Sequence, residues 1–369
     1  MSRNGPVAAV GQDVGVSPAR IPSTYASARA AFRTTAAAHG WVAQALAVDA
    51  LGPDGETLTI DVTRRGPRQP RRALLVLSGV HGVEGFIGSA LQRDLIERAA
   101  PPVDGDAILL VHAVNPWGMA WLRRQNEHNV DLNRNWARDT TPPMPNGPYD
   151  ELHDLLCPRS LVMGEHDEFL SRIGGYVGRH GIEWVSDAIS AGQYTHDDGM
   201  HFGGARTEQS TEVLSRVIAD ELAGAESVLV VDLHTGHGRY GTCTILTGGP
   251  VGSRNHEFLH ASFAPELLEP TSGLAPGRLA AGLADVLPGS DLHSATVEFG
   301  TASGTRQLLA SQEELWVHVH GDRREPDHAA AVDRYHRCFS PDDPAWEAGA
   351  MEQGRAILAD AHRAAFPAS

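Results

Sequence analysis

The chain has 369 residues, of which 41% are hydrophobic, and its formal net charge is −16. This length and apolar content suffice for one large α/β domain or two small ones. Because binding to a phosphate backbone requires clustered Lys and Arg, the acidic balance argues against a nucleic-acid partner, and the one basic run, at 64–72, is interpreted as a solvated loop broken by Gly and Pro.

The first 22 residues predict a flexible N-terminal arm, because they are rich in Gly, Pro and Ser and show no periodicity. They lack an apolar signal region, and no stretch of the chain approaches 18 apolar residues. We therefore expect a cytoplasmic protein without a membrane partner. Ser23 is predicted to cap a helix over Tyr25–Ala38, and two strands follow at Ala43–Ala50 and Thr57–Thr63.

An α/β pattern begins at Ala73–Leu77, a fully apolar run typical of a strand buried on both faces. A helix follows it, with Phe86, Ile87, Ala90, Leu91 and Leu95 at helical spacing. The pattern predicts further buried strands at Ala107–Val114, Val228–Asp232 and Ala295–Glu298, and helices at Gly304–His318, Asp327–Cys338 and Pro344–Ala365. The predicted fold class is therefore α/β: a mixed, mostly parallel central sheet with helices on both faces, in a single catalytic domain over residues 23–369.

Residues 140–225 differ from the rest in being rich in Pro and Gly, without a second core-forming pattern. We interpret them as a long insertion that packs on the main sheet and borders the active site, because long aperiodic segments in compact domains are often lids or binding loops. Within the insertion, residues 192–201 are dense in polar and aromatic groups between glycines. They either contact the substrate or form a solvated turn.

Polar residues occur where the predicted buried strands end: His81, Asn115, His234 and Glu298 lie at or just past these ends. In open α/β sheets the carboxyl edge is where ligands bind. An isolated Glu in an apolar strand is costly to bury unless it is paired or functional, which makes Glu298 a candidate for chemistry.

A candidate metal site lies at this edge. His81 and Glu84 are three positions apart, so both can reach one cation from a helical turn. Zinc accepts three N or O ligands of this kind and leaves a fourth position for water. His234 ends a buried strand and is the preferred third ligand, with His237 as its rival and Asp232 as a residue that could orient it. The three cysteines are far apart and predict no thiolate site.

Five motifs, in the same order along the chain, resemble those of the M14 zinc metallocarboxypeptidase family. The first is the His-x-x-Glu pair, two sequence strings follow it, and a strand-borne His and a late Glu come last. The strings are Asn115-Pro116-Trp117-Gly118 and Arg124-Gln125-Asn126, the latter continued by Asp131-Leu132-Asn133-Arg134-Asn135-Trp136. More narrowly, the stretches HGVEG, NEHNVDLNRNW and DLHTG, with Gly192-Gln193-Tyr194 through Gly203-Gly204, resemble the bacterial DUF2817 branch.

The resemblance implies a carboxypeptidase-like fold, one zinc ion per chain and a role for each matched residue. His81, Glu84 and His234 match the zinc ligands, Arg124 the oxyanion-stabilising arginine and Glu298 the general base. Asn133 and Arg134 match the pair that grips a terminal carboxylate. The alternative for the arginines Arg123, Arg124 and Arg134 is a set of internal salt bridges with Glu127 and Asp131. No tyrosine matches the one that closes over the substrate, and Tyr194 and Tyr240 are candidates by location.

The function we predict is a zinc-dependent hydrolase of the carboxypeptidase or amidase type that acts on a small, carboxylate-bearing or short-peptide substrate. A deacylase or esterase acting on an acylated metabolite is the alternative that keeps the metal and changes the bond. A zinc protein without catalytic activity is a further alternative. No Gly-x-Ser-x-Gly motif occurs, so the sequence does not predict a serine hydrolase.

Overall fold

A computed structural model describes residues 21–103, 105–136, 144–271 and 277–367. The arm predicted for 1–22 therefore lies, apart from its last two residues, outside the described part. The strands are β1 Val42–Leu51, β2 Thr57–Arg65, β3 Arg72–Ser78, β4 Ala107–His112, β5 Ser227–Gly236, β6 Cys243–Leu246, β7 Leu268–Glu269 and β8 Asp291–Gly300. The helices are α1 Tyr25–Ala38, α2 Gly85–Arg98, α3 Pro116–Ala120, α4 Gly147–Leu156, α5 Asp167–His180, α6 Ile182–Ser190, α7 Gln209–Leu222, α8 Arg254–Ser262, α9 Leu279–Val286, α10 Gly304–His320, α11 Pro326–Phe339 and α12 Pro344–Ala365.

The eight strands form one mixed sheet in the order β1-β2-β4-β3-β5-β8-β6-β7. The central strands β4, β3, β5 and β8 are parallel, whereas β1 and β2 pair antiparallel at one side and β6 pairs antiparallel with β8 at the other. Every residue of β3 from Ala73 to Ser78 is buried. Since successive side chains of a strand point to opposite faces, such a run requires helices on both faces, and the predicted fold class is confirmed.

Most predicted elements are present, with shifted ends. Helix α1 has the predicted bounds, but its N-cap is Thr24 and not Ser23: the Thr24 hydroxyl accepts a hydrogen bond from the Ser27 amide at 3.2 Å. Ser23 lies one residue too early to reach the first free amides. Strand β8 begins four residues before the predicted Ala295, because its parallel pairing with β5 starts at Asp291. The residues before Ala295 are mostly half-buried and show no apolar run.

The insertion contains four helices, α4 to α7, that the sequence analysis did not predict. Three of them share a small apolar cluster that also receives Leu315 from α10; it is built around Tyr149, Leu152, Leu156, Phe169, Val185 and Met200. Helix α7 packs instead on the main core through Leu214 and Ile218. None of the helices in the described residues is long and apolar enough to cross a membrane.

Candidate metal centre

His81 and Glu84 are presented by a tight turn that follows β3. Residues Gly82–Glu84 form one turn of 3₁₀-helix, and the backbone amide of Val83 donates to the Arg123 carbonyl at 2.9 Å. A Cβ atom on Gly82 would lie 2.0 Å from the carbonyl carbon of Gly118, so only glycine permits this approach. The close contact fixes the turn against the Asn115–Gly118 motif.

Three side chains converge at this turn. The Nδ1 atom of His234, on β5, lies 3.1 Å from Nδ1 of His81 and 2.9 Å from Oε2 of Glu84. Nδ1 of His81 is 3.0 Å from Oε1 of Glu84. All three side chains are buried, and one ligand atom from each lies within 4.8 Å of the others. Two imidazole nitrogens and a carboxylate are a donor set that zinc prefers.

Each histidine is held from behind by a buried carboxylate. Nε2 of His81 is 3.2 Å from Oδ1 of Asp131, and Nε2 of His234 is 2.7 Å from Oδ2 of Asp232. A hydrogen bond from Nε2–H to a carboxylate leaves the lone pair of Nδ1 free. Both lone pairs are therefore available on the side where Glu84 lies, and the residues fit a divalent cation.

The electrostatic surroundings favour positive charge at this point. Burial alone would raise the pKa of Glu84, but His81, His234 and Arg124 hold that pKa well below its ordinary value. Burial would also lower the pKa of His234, but Asp232 and Glu84 raise it well above its ordinary value. A site that stabilises a proton on a buried histidine also stabilises a metal cation.

Arg124 bridges the two carboxylates that flank His81. Its Nη1 atom donates to Glu84 at 3.0 Å and its Nε atom to Asp131 at 3.1 Å. Despite burial, the attraction of Asp131 and Glu84 raises the pKa of Arg124, which keeps the guanidinium charged. The neighbouring Arg123 is fully buried elsewhere, where it pairs with Glu314 at 2.9 Å.

Glu298 faces the candidate ligands across the sheet. It lies on β8 directly opposite His234 of β5 in the strand register. Burial raises the pKa of Glu298, an effect that His234 opposes and the nearby Glu84 carboxylate reinforces. A carboxylate with a raised pKa has a stronger affinity for a proton at neutral pH.

A cavity of about 290 Å³ opens onto these groups. Its wall contains the candidate ligands together with Arg124, Asn133, Arg134, Arg278 and Glu298, and it extends along the sheet past Val230, Leu246, Ser294 and Thr296. The volume is near the lower limit for small-molecule sites. From the insertion, the side of the cavity includes Ser190 but no described residue of 192–201.

Arg134 lies in the cavity wall, and three of its N–H donors bind backbone carbonyls of the protein. Its guanidinium donates to the carbonyls of Asn133 at 2.7 Å, Ser190 at 2.6 Å and Ala191 at 3.2 Å. Burial lowers the pKa of Arg134 to about 10, against the opposing effect of Asp131. Two of the five N–H donors remain without an acceptor among the described residues. Arg134 therefore both anchors the insertion and keeps donors for a ligand.

The structure brings Tyr194 next to Arg134 but places Tyr240 away from the cavity. The Tyr194 hydroxyl donates to the Arg134 carbonyl at 2.8 Å, and Tyr194 is not part of the cavity wall. Tyr240 is 55% exposed and donates to Asp343. His237, the rival ligand, pairs with Glu269 at 3.0 Å and is absent from the converging group.

Two further residues of the site were not recognised as such from the sequence. From the sequence, Asp131 is predicted only as an ion-pair partner for arginines. Its place two residues before Asn133 in the matched string is a signal for a role in the site. Arg278 stands in no motif, and only the folded chain brings it to the cavity.

Comparisons with known proteins give a family for the chain. The family model DUF2817, described as "Protein of unknown function", matches residues 22–353, which include all the candidate site residues. No curated protein matches the chain. Murein-tripeptide amidase MpaA from Escherichia coli O157 is similar in structure at 20% identity and a TM-score of 0.38, over 74% of this chain and 91% of that chain. A succinylglutamate desuccinylase from Silicibacter sp. TM1040 is similar at 13% identity and a TM-score of 0.39, over 74% of this chain and 64% of that chain.

Proposed function

We propose that the chain, which belongs to the DUF2817 family, is a zinc-dependent hydrolase of the carboxypeptidase or amidase type. It acts on an amide bond of a small substrate that bears a carboxylate. One observation carries the proposal: two imidazole Nδ1 atoms and the Glu84 carboxylate converge in a cavity, and each imidazole is backed by its own buried carboxylate. A purely structural histidine pair needs no such arrangement.

His81, Glu84 and His234 would hold one zinc ion per chain, and the N/O/N donor set with carboxylate-backed imidazoles supports this assignment. When bound, zinc supplies Lewis-acid chemistry, which polarises a carbonyl and lowers the pKa of water toward neutrality. Asp131 and Asp232 keep both imidazoles in the tautomer that presents Nδ1.

Glu298 would act as the general base and then deliver its proton to the leaving nitrogen. Its position opposite His234, its place in the cavity wall and its raised pKa all support this role. Because burial favours the neutral carboxyl, Glu298 accepts a proton more readily than an exposed glutamate does.

Arg124 would stabilise the negative charge that develops on the substrate carbonyl oxygen. Two of its five N–H donors are used by Glu84 and Asp131, and the rest have no acceptor among the described residues. The two ion pairs fix the guanidinium before the substrate arrives, so no reorganisation is required during the reaction.

Asn133 and Arg134 would bind the carboxylate of the substrate, with the donors that their internal bonds leave free. The insertion borders this part of the cavity, since the Ser190 and Ala191 carbonyls hold Arg134 in place. The small cavity volume supports a substrate no larger than a short peptide or an acylated amino acid.

The test combines metal analysis with an activity screen. We expect about one zinc per purified chain and chelator-sensitive hydrolysis of N-acyl amino acids or dipeptides. Glu298→Gln should keep the zinc but lose activity by about 10² to 10⁴-fold, because an amide cannot accept the proton. Glu352→Gln, on the exposed side of α12, is the matched control. A zinc-loaded wild-type protein that cleaves only esters would favour the esterase alternative, and one that cleaves neither would refute the proposal.

A further inference from the structure

Arg278 is a cavity residue whose charge has no ion-pair partner among the described residues. It precedes α9, and its side chain lines the same cavity as the candidate metal ligands. Its Nε atom is buried without a hydrogen-bond partner, and no described carboxylate forms an ion pair with the guanidinium. A buried donor left unpaired is costly, and one that lines a cavity can be completed by a water, an ion or a ligand.

The Asp131 carboxylate does not pair with Arg278. Burial lowers the pKa of Arg278, and the Asp131 carboxylate opposes that effect. Both Asp131 oxygens are already used, by Oδ1 contacts to His81 and the Asn133 amide and by Oδ2 contacts to Arg124 and His201. No described residue therefore neutralises Arg278, and its positive charge is available to a ligand.

Arg134 is a second arginine in the same situation. It has three carbonyl acceptors but no carboxylate partner among the described residues. The two arginines are near each other: the Leu279 amide donates to Oδ1 of Asn133 at 3.1 Å, and the Trp136 amide donates to the Gly277 carbonyl at 3.1 Å. Two like charges face one small cavity, and neither has an ion-pair partner in the part of the chain that the structure describes.

We propose that Arg278 is a specificity-determining residue that binds a second carboxylate of the substrate. The substrate class is then an N-acylated dicarboxylic amino acid or a short peptide that ends in one. One carboxylate meets Asn133 and Arg134, the other meets the Arg278 fork, and the amide bond lies toward Glu298. Guanidinium matches a carboxylate with two parallel hydrogen bonds, which gives selectivity over a neutral amide of the same shape.

This inference rests on the proposed function, and its first test compares two isosteric substrates, N-acetylglutamate and N-acetylglutamine. For the wild type we expect kcat/KM to favour the glutamate substrate by about 10- to 100-fold, as for a charge-assisted hydrogen bond. Arg278→Gln should bring that ratio close to one, chiefly through KM. Arg278→Lys should give an intermediate ratio, because lysine keeps the charge but loses the fork. Arg216→Gln, on the exposed face of α7, should keep the wild-type ratio.

A binding measurement separates failure of this inference from failure of the proposed function. Calorimetry on the zinc-loaded protein should show glutarate binding more tightly than butyrate, and Arg278→Gln should weaken glutarate binding about tenfold or more. Equal hydrolysis of the two substrates by the wild type would overturn the role of Arg278 and leave the hydrolase intact. If neither substrate is hydrolysed, the calorimetry still decides: an Arg278→Gln variant with wild-type glutarate affinity overturns the inference.

Discussion

Replacing Asp131 by Asn tests whether the buried carboxylate behind His81 prepares the metal site. Asp131 is fully buried and accepts four hydrogen bonds, from His81 at 3.2 Å, Arg124 at 3.1 Å, His201 at 3.2 Å and the Asn133 amide at 2.9 Å. Asparagine keeps the shape and one acceptor oxygen. It replaces the other oxygen by an amide that cannot accept, and it removes the charge.

The structure sets the size of the expected effect. Removing one partner of a buried ion pair costs about 3–5 kcal/mol, and we expect the lower end because Arg124 keeps its second pair with Glu84. Loss of the carboxylate behind a metal-ligating imidazole weakens metal binding by about 10- to 100-fold. Asp232→Asn removes one hydrogen bond, to His234, and should lower zinc affinity with a smaller loss of stability.

Zinc affinity is measured by competition with a chromogenic chelator, and stability by urea unfolding of the metal-free proteins, so that metal binding does not enter the free energy of unfolding. Asp322→Asn is the control: it removes one partner of an exposed ion pair with Arg324 and should leave both quantities unchanged. An Asp131→Asn protein with wild-type zinc affinity would show that the carboxylate does not prepare the site.

Three further outcomes are expected. Arg134→Lys should lower kcat/KM for a carboxylate substrate about 10- to 100-fold and much less for its methyl ester; equal losses on both would point to the esterase alternative. Burial lowers the pKa of His112 to about 4, so between about pH 6.5 and pH 4 the unfolded chain binds a proton that the folded chain does not, and the free energy of unfolding falls by about 3 kcal/mol over this range. Urea unfolding at a series of acid pH values should show a smaller fall for His112→Leu than for the wild type. An equal dependence on pH in both proteins would exclude His112 as the cause. Hydrolysis rates in a peptide series should fall as the acyl side lengthens beyond a few residues, whereas efficient trimming of a folded protein's C-terminus would contradict the small cavity.

The parts of the fold that were predictable are those with strong local patterns. Helix α12 has the predicted bounds because its length and periodicity exceed any competing signal. Strands β6 and β7, of four and two residues, are too short to show a pattern. Helix α5 was missed because Gly174 and Gly175 lie in its interior, where glycine disfavours helix. Packing of Phe169 into the apolar cluster of the insertion overrides that preference.

The candidate site was predictable to the extent that its chemistry is local. His81 and Glu84 lie on one turn, so their spacing alone places both side chains together. The carboxylate that orients His81 is not local, since Asp131 is 50 residues from His81 along the chain. Nor does the sequence separate the two tyrosines: only the folded chain shows that Tyr194 binds the Arg134 carbonyl whereas Tyr240 binds Asp343. The same holds for Arg278, whose significance comes from the absence of a described partner and not from its neighbours in sequence.

The charge arrangement of the cavity connects the candidate metal ligands to the insertion. Glu84 and Asp131 are buried close together, and Arg124 is the fixed arginine between them. Asp131 also binds His201 of the insertion, while the Ser190 carbonyl holds Arg134. One arginine does not balance two buried carboxylates, so a cation bound by His81 and Glu84 would stabilise the same network that contacts the insertion. We therefore expect metal binding and the contact of the insertion with Asp131 to stabilise each other.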